Sequence, residues 1–306
     1  SLKILPEYKW IDCIGKGSFS NAHLIDYNDD KMVLKITKNQ NLNQKNYKLF
    51  FREMSILKQL NHPYIIKLYN YDIIDDIIFW SLNDYCNLGS LDLLIKRHIM
   101  CSNVLRLRFF EQVIEALSYI HEKEIIHRDI KPANIFMTGK NLTDDYINFK
   151  IGDFNLSRFL IENDSEDNEY NLTICGTKNY MAPELLTQSE YNNKVDIWGL
   201  LCIYIQFSIW YNDKNINGKF LKKQFSENLH RKGNIINMTT NELIHKLNDY
   251  NEFEHTLIYK MHHIDPLYRA SSYELKHYIS NNKPKMSVRR VAVAPRPHSR
   301  HRSFTF

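Results

Sequence analysis

Apolar and polar positions divide this chain into a strand-rich first quarter and a helix-rich remainder. Residues 8–37 run as YKWIDCIG, a glycine-containing turn, SNAHLIDY, the polar turn Asn28-Asp29-Asp30, and MVLKIT. Short apolar runs bounded by turn residues predict three strands joined by hairpins. Over residues 46–60 the period changes. Phe50, Met54, Leu57 and Leu60 fall on one stripe, which predicts a helix ended by His62-Pro63. Glu53 lies on that inward side, between Phe50 and Leu57. A carboxylate facing a core needs a partner, and Lys35 on the third strand is the candidate. Two more runs, IIKLYNYDII and DIIFWSLND, meet at Asp75-Asp76 and bring the unit to five strands and one helix.

Residues 83–90, NDYCNLGS, are polar and read as a connector. Beyond them the period is helical. Leu107, Phe110, Val113, Leu117 and Ile120 recur at helical spacing, with Ser102 as the expected N-cap. This helix leads into HRDIKPAN at 127–134, followed by the strand-like IFM and YINFKIGDFN. Residues 154–184 have no clear period, and five acids between 161 and 170 predict a solvated stretch. VDIWGLLCIYIQFSIW, 195–210, is short for a bilayer and contains Asp196 and Gln206, so it reads as a buried helix. Further helices are expected over 240–280. Beyond Asn282 the period is lost, and a disordered tail is expected over 283–306.

Composition narrows the function classes. The 306 residues are 43% apolar and 13% aromatic, enough for one large domain or two lobes. The net charge of +5 is uneven: seven Lys or Arg and no acid follow residue 282, leaving 33 basic against 35 acidic side chains before it. A nucleic-acid partner is therefore not expected. Five cysteines at 13, 86, 101, 175 and 202 suggest neither a disulfide framework nor a zinc ribbon. A reduced intracellular setting, cytoplasmic or nuclear, is expected. The start SLKILPEYKW lacks a long apolar core, so neither a signal peptide nor a membrane partner is expected.

The candidate chemistry centres on HRDIKPAN. Asp129 suits proton abstraction from a hydroxyl, Lys131 suits neutralising a phosphate oxygen, and Asn134 suits holding a divalent cation. Phosphoryl transfer needs those three tasks in one small volume. GKGSFSNA, between two predicted strands, offers backbone N–H groups that could cover a nucleotide's phosphates. Asp153 follows a strand-like run, where Gly-Asp is also ordinary turn chemistry. Glu184 and the distant Arg269 could form a buried pair that pins the end of the 154–184 segment, or merely a surface one.

Together these residues resemble the eukaryotic protein kinase family over about 8–280. The resemblance implies an α+β, bilobal fold. A small five-stranded lobe with one main helix (about 8–83), a hinge (84–89) and a larger, mainly helical lobe (about 90–280) are expected. It implies ATP, Mg2+ and a protein substrate. Asp129 matches the catalytic base, Lys35 with Glu53 the strand-lysine and helix-glutamate pair, and Asn134 with Asp153 the metal ligands. Ile14, Gly15, Gly17, Ala22, Val33, Asn83, Phe136 and the backbone of Asp84 and Cys86 are the expected nucleotide contacts. Asp196 matches the aspartate that braces the catalytic loop. Arg128 beside Asp129 implies control by phosphorylation of the 154–184 segment, with Thr173 the expected acceptor.

The departures bear on function. Asn155 replaces the usual glycine after Asp153-Phe154, and asparagine's tolerance of positive φ is expected to preserve the turn. Ser20 replaces the third glycine of the loop and is expected to stiffen it. Val33 and Ala22 exchange the usual alanine and valine, a swap that conserves volume over the adenine. No ligand, base or phosphate-binding lysine is lost, which favours an active enzyme over a nucleotide-binding scaffold. CGTKNYMAPE argues against a small-molecule kinase. Lys131 and that segment resemble serine/threonine kinases. Asn83 at the gatekeeper position, NDYCNLGSL, KPANIF and the NG…RKGNI spacing at 217–235 are similar to the Wee group of cell-cycle kinases. That group phosphorylates a tyrosine on cyclin-dependent kinases, which would then be the partner. EALSYIHEKEIIHRDIKPANIF is also similar to the stress kinases that act on a translation initiation factor.

Overall fold

The computed structural model describes residues 8–17, 20–37, 44–75, 78–97, 102–160, 180–187, 190–212 and 251–284. The expectations for the acidic stretch 161–170, Thr173, the 217–235 spacing and the tail from 285 onward lie outside them.

Strands β1 (Tyr8–Lys16), β2 (Ser20–Tyr27), β3 (Asp30–Thr37), β4 (Leu68–Ile74) and β5 (Ile78–Asp84) form one antiparallel sheet in the order β1-β2-β3-β5-β4. Tyr27 pairs with Asp30, so the β2–β3 turn is two residues long and Asp30 belongs to the strand. Asn28 and Asp29 have φ of 55° and 64°. Positive φ at both positions matches the twist of the flanking strands, and Asn and Asp tolerate it. Helix α1 (Gln44–Gln59) buries Met54, Ile56 and Leu57, while Phe50 stacks on Phe79 of β5 at 4.7 Å. β4 starts later than the apolar run suggests. Ile66 N instead donates to Ile151 O at 2.8 Å and Ile151 N to Tyr64 O at 2.9 Å, tying this stretch to the helical part.

The remainder is built on α2 (Asp92–Lys96), α3 (Asn103–Glu122), α4 (Pro183–Leu186), α5 (Lys194–Asn212), α6 (Glu252–Met261) and α7 (Ser272–Asn282). The Ser102 hydroxyl caps α3 by accepting from Leu105 N at 3.0 Å. Reciprocal capping boxes start α6 (Asn251 with Glu254) and α7 (Ser271 with Glu274). Helix α5 carries the long apolar run. Its residues from Val195 to Ile205, apart from Gly199, contribute side chains that are buried all round, as a central core helix requires. No helix among the described residues is long and apolar enough to cross a membrane. Two short ladders complete the architecture. They are β6 (Ile125–Ile126) with β9 (Arg158–Phe159), and β7 (Ile135–Thr138) with β8 (Asn148–Ile151).

Glu184 and Arg269 meet in this core rather than at the surface. Arg269 Nη1 and Nη2 donate to the two carboxylate oxygens at 2.6 and 3.0 Å. Three backbone carbonyls, of His263, Lys194 and Ile264, take further guanidinium hydrogens, and Cζ lies 5.0 Å from the centroid of the Trp198 ring. Breaking a buried pair strands one charge without water. Arg269→Ala is therefore expected to cost about 3–5 kcal/mol, read as a lowered urea midpoint with an unchanged slope.

Candidate active site

The loop after β6 is held from below by one side chain. Asp196, in the first turn of α5, accepts from His127 N at 2.9 Å and Arg128 N at 2.8 Å. His121 Nε2 lies 2.9 Å from the same carboxylate, and His121 Nδ1 lies 2.8 Å from Ser272 Oγ. Burial works against the charge on Asp196, but the hydrogen bonds and charges of His121 and His127 outweigh it and hold the carboxyl below its ordinary range. The two amides converge because Arg128 takes φ 65°, a strained conformation for a non-glycine residue. His121 and His127 were not singled out by the sequence reading, although His127 opens the motif.

Held this way, the loop presents Asp129. Lys131 Nζ lies 2.6 Å from Asp129 Oδ2, and Asn134 Nδ2 donates to the same oxygen and to the Asp129 carbonyl, both at 2.9 Å. With its nitrogen turned toward Asp129, the Asn134 amide directs its oxygen elsewhere. Asn134 O also accepts from Gly152 N at 2.9 Å, which sets Asn134 beside Asp153. Acid, lysine and carboxamide thus touch, and the backbone that carries the second acid is joined to them despite the separation in sequence. Gly152 is required here, because a Cβ would lie 2.7 Å from Ile66 and 2.9 Å from Phe136. The donor set of one carboxylate and one carboxamide is hard oxygen, as Mg2+ prefers.

Asp153 forms part of the wall of a cavity of about 830 Å³ between the sheet and the helical part. Ile14, Gly15, Ala22, Val33, Lys35, Asn83, Asp84, Cys86 and Phe136 line the same cavity. Of the expected nucleotide contacts, Gly17 alone is not in the lining; its N–H closes the loop onto Ser20 O at 2.9 Å. Ile66, Tyr85 and Ser90 also line it and were missed. No motif marks them, since their position depends on how the chain turns. Asn83 is buried and donates to Ser81 Oγ at 2.9 Å. The Asp84 side chain has its own partners. It accepts from Lys150 Nζ at 2.6 Å, Tyr69 OH at 3.0 Å and Lys67 N at 3.1 Å, joining the hinge to β4 and β8. Burial pushes the Cys86 thiol up to about 12, so it stays protonated.

Three expectations are modified. Among the described residues no ion pair within 4.0 Å joins Lys35 to Glu53. Burial is the largest influence on Glu53, Lys35 offsets only part of it, and the carboxyl is pushed up to about 7. Arg128 is not left bare: Nε donates to Leu156 O at 2.5 Å and Nη1 to Tyr191 OH at 2.9 Å. Both acceptors are neutral, so the charge itself is not matched by them. The turn after Asp153 does not use positive φ at Asn155. The left-handed residue is Asp153, with φ 64°, while Phe154 is buried edge-on against His127 at 4.8 Å.

The cavity between the antiparallel sheet and the helical body includes Asp153 in its lining but not Asp129, Lys131 or Asn134, which are tied to it through the Gly152–Asn134 backbone hydrogen bond; acid, lysine and carboxamide of this kind are what phosphoryl transfer calls on. The protein kinase domain family matches residues 8–279, and the chain belongs to it. Serine/threonine-protein kinase Nek6 of Oryza sativa subsp. japonica is 31% identical over 202 residues, covering 65% of this chain and 36% of that protein. Serine/threonine-protein kinase polo of Drosophila melanogaster is 32% identical over 223 residues, 72% of this chain and 36% of that protein. The carbon catabolite-derepressing protein kinase of Saccharomyces cerevisiae is 35% identical over 201 residues, 63% and 29% respectively. The chain spans about a third of the length of these relatives.

Glu53 makes stability depend on pH. Its folded value of about 7 exceeds the ordinary 4.5, so the folded state holds the proton more tightly than the unfolded chain. Its contribution is fully present below pH 4.5 and is lost as pH rises through about 7. Glu53→Gln is expected to flatten that decline, by up to about 3 kcal/mol between pH 5 and pH 8. Urea melts of both proteins without nucleotide, at the two pH values, make the comparison.

Proposed function

We propose that the chain is an active serine/threonine protein kinase that moves the γ-phosphoryl group of ATP, with Mg2+, to hydroxyls of protein substrates. The reading is carried by one observation, the hydrogen-bonded contact of Asp129 with both Lys131 and Asn134 beside Asp153. In it, Asp129 accepts the proton of the attacking hydroxyl, and Lys131 neutralises charge on the phosphoryl oxygens. Lys35, which lines the cavity and acts on Glu53 without direct contact, serves the nucleotide's phosphates. Asn134 and Asp153 would hold Mg2+, which supplies charge neutralisation during transfer. Ile14, Gly15, Ala22, Val33, Asn83, Phe136 and the backbone of Asp84 and Cys86 enclose the nucleotide. Three relatives whose printed names include protein kinase, two of them serine/threonine, support the acceptor class.

The 154–184 segment is the proposed point of control. Arg128, held by two neutral oxygens, has charge to spare for a phosphate on Thr173. A Wee-like role, acting on a tyrosine of a cyclin-dependent kinase, is the second reading, favoured by the buried polar Asn83 at the cavity wall.

Incubation with labelled ATP, Mg2+ and a panel of protein substrates is expected to give phosphoserine and phosphothreonine. Asp129→Asn should lower kcat by about 10²–10⁴, and Lys35→Met and Asp153→Asn should abolish the signal. Phosphotyrosine alone would transfer the case to the second reading. No transfer by a chain that still binds ATP would make it a scaffold. Thr173→Ala is expected to lose most activity, and full activity in that variant would end the control proposal.

A further inference from the structure

The residue after Asp153-Phe154 is asparagine, and its backbone does not explain the choice. Asn155 has no positive φ; the left-handed residue is Asp153. Phe154 is buried, and Ser157 N donates to Phe154 O at 3.0 Å, closing a tight turn with Asn155 and Leu156 at its centre. Leu156 O is engaged by Arg128 Nε at 2.5 Å. The turn is therefore anchored on both sides, and the exposed Asn155 side chain folds back along it. Its Nδ2 donates to Asp153 Oδ1. Among the described residues no other hydrogen bond reaches the Asp153 carboxylate.

Glycine at this position could make the turn but would bring no side-chain donor to the carboxylate. An amide donor on a carboxylate oxygen fixes its rotation without adding charge. It engages one lone pair of Oδ1 and leaves Oδ2 for a cation. We infer that Asn155 is a positioning residue: it holds the Asp153 carboxylate, itself on a strained backbone, in the orientation that receives Mg2+. This rests on the phosphotransfer reading of the site.

The test measures nucleotide affinity of the full chain by calorimetry, with ADP titrated across a series of Mg2+ concentrations. Asn155→Ala and Asn155→Gly both remove the donor. Each is expected to raise the Mg2+ concentration for half-maximal tightening of ADP by about fivefold, with metal-free ADP affinity unchanged. Asn155→Ser, whose hydroxyl can also donate, is expected to recover part of the loss. Thermal melts without ligand identify any variant that does not fold, and the serine variant carries the comparison if alanine or glycine fails. A normal Mg2+ response in the wild type with an unchanged response in every folded variant overturns the inference alone. A wild-type chain whose ADP affinity ignores Mg2+ overturns the reading of the site, and this inference with it.

Discussion

One buried carboxylate organises the loop that carries Asp129. Asp196 sits in a core helix, fully enclosed, where an ionised side chain is expensive unless every oxygen is served. It is served by two successive backbone amides and by His121. Those amides can face one carboxylate only if Arg128 turns into the left-handed region, and that turn brings Asp129 toward Lys131 and Asn134. Gly199 completes the fit one turn further along the same helix. A Cβ there would stand 2.7 Å from Ile130 O, so the loop and helix approach as closely as backbone permits. A local strain is thus sustained by a nonlocal ion and a nonlocal glycine.

The cleft is coupled to both halves of the molecule by different means. At the end of β5, the charge of Asp84 is directed to Lys150 of β8 and to Tyr69 of β4. At the opposite wall the corresponding coupling is open. Glu53 and Lys35 influence each other without direct contact, and Asp153 raises the Glu53 carboxyl further. A phosphate group arriving near Lys35 would change that balance, since three charged groups share a poorly solvated space. The helix that carries Glu53 is secured by aromatic stacking on β5 rather than by the ion pair.

Family membership explains what this chain shares with kinases of different names, and the departures mark what is its own. Asn83 and Asn155 are both carboxamides in places that often hold apolar or absent side chains. The first is buried and bonded to Ser81; the second is exposed and bonded to the Asp153 carboxylate. Their chemistry is the same and their surroundings make the difference.

Much of the fold was legible because periodicity records burial directly. The five strands, the helix carrying Glu53 and the long helix capped by Ser102 follow from apolar spacing and turn residues. Short elements were not legible: β6 and β9 have two residues each and exist only because Glu124 O and Leu160 N, and their neighbours, meet across the loop. The HRDIKPAN string identified the acid, lysine and carboxamide, since chemistry within eight residues is local. It was silent on which contacts would close. Side-chain rotation and burial left Glu53 and Lys35 apart, joined Glu184 to Arg269 in the core, and moved positive φ from Asn155 to Asp153. By itself, then, the order of residues determined the elements, the family and the candidate chemistry. The tertiary structure decided which charges are neutralised, because that depends on distances and desolvation set by elements far apart along the chain.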